Sequence, residues 1–171
     1  MADERIFNVL FLSQRSAARS VMAAALLNAI GQGKFRAYSA GVRPATTYDP
    51  LAIELLEHAK IPLPQDKPRH YRDFASDGAP DLDFVFTLSD TAAGEPLPQW
   101  PGRPITAHWR SLDPERFSDS VERRRALIDT RAQLERRLRV FVNLPFASLD
   151  HLRMQQHVDE IAQSEPEQNE R

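Results

Sequence analysis

The first patterned stretch of the chain is Ile6-Phe7-Asn8-Val9-Leu10-Phe11-Leu12, a nearly unbroken apolar run with polar residues after it. Such a run suits a central strand buried on both faces. Val21-Met22-Ala23-Ala24-Ala25-Leu26-Leu27-Asn28-Ala29-Ile30 then consists of helix formers and ends at Gly31 and Gly33, which predicts a helix. Phe35 to Ala40 alternates as a strand does before Gly41, and residues 50–59 place Leu51, Leu55 and Leu56 at helical spacing behind Pro50.

Two further strands are predicted over residues 82–88 and 105–109, the second after a Pro-rich stretch. From Ser118 to Val142 the residues Val121, Leu127, Ile128, Leu134, Leu138 and Phe141 recur at helical intervals, Pro145 interrupts, and a second amphipathic segment carries Leu149, Leu152, Val158 and Ile161. Strands alternating with helices imply a parallel sheet. The expectation is a single-domain, doubly wound α/β fold of about four strands with helices on both faces. It spans residues 1–163 and is followed by a disordered polar tail, 164–171.

Composition narrows the chemistry. The 171 residues include no cysteine, which removes disulfides, thiolate metal sites and cysteine nucleophiles together. A net charge of −2 with Lys and Arg spread along the chain argues against nucleic acid as a partner. The start of the chain is acidic and its first apolar run is too short for a signal peptide or a membrane span, so a cytoplasmic protein without membrane association is expected. No metal or cofactor is called for.

The candidate site is Ser13-Gln14-Arg15-Ser16-Ala17-Ala18-Arg19-Ser20, between the first strand and the first helix. At such a joint successive backbone N–H groups and a helix N-terminus surround an oxyanion, and the Arg19 fork adds two donors to phosphate, sulfate or arsenate. The blander reading of Arg19 is a surface residue capping a helix or pairing with a carboxylate. His108 and Trp109 are read as packing residues. Arg123-Arg124-Arg125 and Arg136-Arg137, interleaved with Glu122 and Glu135, are read as a solvated face. The four prolines between Glu95 and Pro104 suit a lid or, more simply, a rigid connector.

The stretch from Val9 through Ser13 and from Ala18-Arg19-Ser20 to Asn28 resembles the signature of the low-molecular-weight tyrosine phosphatases, whose loop reads cysteine, five residues, arginine, serine. Tyr38-Ser39-Ala40-Gly41 and Asp83-Phe84-Val85-Phe86-Thr87-Leu88 resemble that family's second and third strands. Ala92-Ala93-Gly94-Glu95-Pro96 with Trp100-Pro101-Gly102 resembles its arsenate-reductase branch. The resemblance covers roughly residues 6–114. It implies a thiolate that attacks phosphorus or arsenic, loop amides and an arginine that hold the equatorial oxygens, and an aspartate before proline that protonates the leaving group. Asp113-Pro114 matches that acid, although Asp before Pro also marks ordinary turns.

Position 13, which matches the nucleophile, is Ser, and Arg15, Ser16 and Ala17 stand where the family has glycine, asparagine and a serine whose hydroxyl supports the thiolate. Arg15 either strengthens anion capture or closes the pocket. Ser89 and Leu97 occupy the neighbourhood in which thioredoxin-coupled arsenate reductases carry two further cysteines. The expected function is therefore that of a catalytically impaired homologue retaining an oxyanion-binding loop. The alternatives are an enzyme that uses Ser13 or a water above Arg19, with Asp113 as acid, and a partner-binding protein whose 149–161 helix is the interface. The partner in view is an oxyanion, with a phospho-ligand or a protein as further possibilities.

Overall fold

A computed structural model describes residues 5–163; the expected tail at 164–171 lies outside the described residues. Four parallel strands, β1 (Phe7–Ser13), β2 (Phe35–Gly41), β3 (Phe84–Thr87) and β4 (Ile105–His108), form one sheet in the order β2-β1-β3-β4. The helices are α1 (Arg19–Ile30), α2 (Pro50–His58), α3 (Asp90–Gly94), α4 (Ser120–Val142) and α5 (His151–Gln163), with short 3₁₀ turns at Tyr71–Phe74 and Pro114–Arg116.

The central position of β1 follows from its composition. Val9 and Phe11 point into one apolar cluster, Leu10 and Leu12 into another, and all four are fully buried. Strand periodicity of two makes an unbroken apolar run necessary where both faces are covered. The two faces are covered unequally. Residues of α1, α2, α4 and α5 build the larger cluster, around Phe84, Phe86, Trp109 and Phe141. The other face is closed by the Tyr71–Phe74 turn, Ala92 of α3, Leu82 and Trp100.

The helix α1 has no polar face, and every residue from Arg19 to Leu27 is buried. It starts two residues earlier than its apolar run suggested, because Arg19 and Ser20 form its first turn. Asp49 caps α2 by accepting from the Leu51 N–H at 2.9 Å, with Pro50 in the first turn. The same carboxylate takes Arg123 Nη2 at 2.8 Å and so fastens α2 to α4.

Two expectations change, and the simpler reading of the Pro-rich stretch holds. Arg137 is buried and donates to the Arg110 carbonyl at 3.0 Å, so the arginines of α4 are not one solvated face. The apolar face of α5, offered above as an interface, is occupied by the core: Met154, Val158 and Ile161 are buried, and Gln155 donates to the Thr106 carbonyl of β4 at 2.8 Å. The Pro-rich stretch is a packed connector, with Trp100 buried edge-on to Tyr71 and the Pro101 carbonyl accepting from the Leu82 N–H at 2.9 Å. No helix among the described residues is long and apolar enough to cross a membrane.

Candidate active site

The chain leaves β1 toward α1 on one face and leaves β3 toward α3 on the other, so the loop after β1 lies at the point where the connections diverge. Open α/β sheets bind ligands at such a crevice. Ser13 ends β1 in register with Gly41 of β2. Beyond it the loop is held from outside. The carbonyls of Ser13, Gln14, Arg15 and Ala17 accept from the N–H groups of Val42, Arg43, Ala45 and Asp49 at 3.1, 2.8, 2.8 and 2.8 Å.

Those four bonds fix where the amides point. The chain has no cis peptide among the described residues, and in a trans peptide C=O and N–H are antiparallel. With the carbonyls drawn outward, the N–H groups of Gln14, Arg15, Ser16 and Ala18 face the inside of the loop. Ser16 confirms the direction by donating its N–H to Ser13 Oγ at 3.1 Å. Its φ of 53° is the left-handed conformation that turns the loop inward, an uncommon state for a residue with a side chain. The result is a ring of amide dipoles, the arrangement that receives an anion.

At the bottom lies a buried cluster of three hydroxyls. Ser13 donates to Ser20 Oγ at 3.0 Å, and Ser16 Oγ lies 2.8 Å from the same atom. The resemblance had located the supporting hydroxyl at position 17; in the structure that hydroxyl belongs to Ser20, and Ala17 contributes only backbone. No histidine or carboxylate among the described residues bonds to Ser13.

Arg19 is buried, with Nη1 donating to the Ser111 carbonyl at 3.2 Å and Nη2 at 3.8 Å from Asp113. Burial lowers its pKa from the ordinary value, while Asp113, Glu115 and Asp90 oppose that shift; a guanidinium remains charged. Asp113 accepts from the Glu115 N–H at 2.9 Å and so caps the 3₁₀ turn in which Pro114 stands first. The turn reading and the acid-position reading of Asp113-Pro114 describe the same residue. Arg15 reaches across to Glu115, its Nη1 lying 3.0 and 3.1 Å from the two carboxylate oxygens. Residues 13–19 and 113–115 line a cavity of about 20 Å³.

All the expected site residues, Ser13 to Ser20 and Asp113, meet here. Glu115, the Ser111 carbonyl and Gly41 were not expected. A Glu two residues after Asp-Pro carries no motif, and a backbone carbonyl leaves no trace in sequence. His108 is held between Thr87 and Asp90, with Nε2 3.0 Å from Asp90, and Trp109 is fully buried with Nε1 donating to the Val158 carbonyl at 3.0 Å. Both are packing residues, as read. Among the described residues no group of three or more His, Asp or Glu side chains is placed to hold a metal ion.

Known proteins place this geometry in a family. A glutaredoxin arsenate reductase from Synechocystis is 29% identical over 115 residues, which cover 67% of this chain and 84% of that protein. The crystal structure of an arsenate reductase from Archaeoglobus fulgidus superposes with a TM-score of 0.59 at 28% identity, over 76% of this chain and 98% of that one. An arsenate reductase in its phosphate-binding state gives 0.64 at 26% identity, over 80% and 96%. Residues 8–153 match the family model of the low molecular weight phosphotyrosine protein phosphatases, and the chain belongs to that family.

Proposed function

We propose that this protein is an oxyanion receptor built on the phosphatase loop, with the family's covalent chemistry lost. The observation that carries the reading is the state of Ser13: its hydroxyl sits inside the amide ring and donates to Ser20, with no base bonded to it among the described residues. A hydroxyl without a base is a poor nucleophile at neutral pH, and an alkoxide is far less accessible than a thiolate. The receptor function is a separate matter. A neutral hydroxyl places no charge opposite the incoming anion, so the inward amides and Arg19 act on a dianion without an anionic group at the loop's centre. Support also comes from the related arsenate reductase whose structure was solved in a phosphate-binding state.

The test is thermal unfolding with and without inorganic phosphate, because a ligand bound only to the native state raises Tm by mass action. Phosphate is expected to raise the Tm of the wild type and not that of Arg19→Ala. Equal stabilisation of both proteins would place phosphate elsewhere and overturn the reading.

A further inference from the structure

We infer that Arg15 and Glu115 form a clasp that selects free tetrahedral dianions over phosphate monoesters, an inference that rests on the receptor reading above. Arg15 lies on the loop and Glu115 on the turn that roofs it, and Arg15 Nη1 contacts both Glu115 oxygens, at 3.0 and 3.1 Å. Both residues line the 20 Å³ cavity. A volume of that order holds about one water molecule. With the clasp shut, the Arg15–Glu115 pair borders the space that a four-oxygen anion would enter.

The backbones at the two ends of the clasp are fixed. The Arg15 carbonyl accepts from the Ala45 N–H at 2.8 Å, the Glu115 N–H donates to Asp113 at 2.9 Å, and Pro114 between them is buried. The side chains are the moving parts, 51% and 36% exposed. An anion enters when the Arg15 guanidinium leaves Glu115, and the guanidinium then finds a dianion where it had a singly charged carboxylate. It folds over that dianion from above while Arg19 holds it from the side.

This second arginine distinguishes ligand classes. With three oxygens turned to the amides and Arg19, the fourth faces the mouth. In free phosphate, arsenate or sulfate that oxygen is an acceptor for Arg15. In a monoester it carries the organic substituent, which occupies the space Arg15 needs. Glu115 acts in turn as a built-in carboxylate competitor. Exposed ion pairs are worth roughly 0.2–1 kcal/mol, so removing the competitor is expected to tighten phosphate binding by up to about fivefold.

The experiment is calorimetric titration of inorganic phosphate and of phenyl phosphate into the wild type, Glu115→Gln, Arg15→Gly and Arg19→Ala, each checked for its fold by circular dichroism. Glu115→Gln is expected to bind phosphate about twofold to fivefold more tightly. Arg15→Gly is expected to bind phosphate more weakly and phenyl phosphate more tightly, which narrows or reverses the preference. Unchanged phosphate affinity in Glu115→Gln together with an unchanged phosphate-to-ester ratio in Arg15→Gly overturns the clasp; if Arg19→Ala still abolishes phosphate binding, the receptor reading survives that result. Absence of phosphate binding in the wild type and in all three variants overturns both.

Discussion

A β-carbon on Gly41 would stand 3.1 Å from the carbonyl oxygen of Gln14, 3.0 Å from the carbonyl carbon of Arg15 and 3.1 Å from the Ser16 nitrogen. All three neighbours are backbone, and none can rotate away. The end of β2 therefore sets how closely the loop after β1 lies against the sheet, and through the outward carbonyls it sets the aim of the inward amides.

Gly41→Ala is expected to fold with a loss of about 1–3 kcal/mol, the ordinary cost of overpacking, and to bind phosphate several-fold more weakly. Urea unfolding and calorimetric titration measure the two effects. Phosphate affinity equal to the wild type would show that the loop tolerates displacement.

The same contact shows how far the sequence could be read. The strands, the four longer helices and the position of the loop at residues 13–20 follow from apolar runs, helical spacing and the Arg19-Ser20 joint, because each is written within a few consecutive residues. The helix α3 escaped: five residues, Asp90–Gly94, carry too little periodicity to stand out. The long-range partners escaped as well. Arg15 and Glu115 are a hundred positions apart, and only the fold reveals that a cation in the loop meets a carboxylate on the roof. Arg137 was misread for the same reason, since the Arg110 carbonyl that receives it is a backbone atom.

Asp90 supplies a pH-dependent contribution. Its pKa is lowered first by the hydrogen bond from His108; desolvation is the next largest influence and opposes the shift, and the charges of Arg110, His108 and Arg19 add to the lowering. A carboxylate held lower in the folded than in the unfolded state stabilises the fold above its unfolded pKa of about 3.9, and that stability disappears as pH falls through the folded value. The group is largely exposed, so the effect is small. Asp90→Asn is expected to lower Tm by about 1–3 °C at pH 7, with the gap closing toward pH 3. A gap independent of pH would show that the loss is one of packing.

Trp109 is the largest fully buried side chain, stacked on Phe86 with ring centroids 4.0 Å apart and anchored to α5 through the Val158 carbonyl. Trp109→Ala is expected to cost about 3–5 kcal/mol. Trp109→Phe keeps much of the apolar contact and loses the hydrogen bond, so it is expected to cost about 1–2 kcal/mol. Chemical denaturation of both variants checks the order; equal costs would mean that the retained ring contact contributes nothing, and a Trp109→Phe variant as stable as the wild type would mean that the indole N–H contributes nothing to holding α5.

Catalysis turns on position 13. Judged by sequence, restoring a cysteine there recovers little, because positions 15, 16 and 17 all depart from the family. The structure changes that expectation in one respect: the hydroxyl beside position 13 is Ser20, which the chain keeps, and the inward amides and the left-handed residue 16 are also in place. A thiol on this spot starts near pKa 8.5 and faces amide dipoles, a hydroxyl donor and Arg19, each of which favours the thiolate. Serine starts many units higher, and the same surroundings leave it a hydroxyl. Wild type and Ser13→Ala are therefore expected to show the same negligible turnover of an aryl phosphate, and no phospho-enzyme. Ser13→Cys is expected to react with iodoacetamide with a midpoint below pH 8.5 and to release phenolate slowly, since Arg15 and Glu115 still roof the loop. Ser13→Cys with Arg15→Gly is expected to turn over faster than Ser13→Cys alone. Wild-type hydrolysis that disappears in Ser13→Ala would make Ser13 a working nucleophile and refute the loss of covalent chemistry. A Ser13→Cys thiol that titrates at or above 8.5 would show instead that the amides of this loop do not aim at position 13.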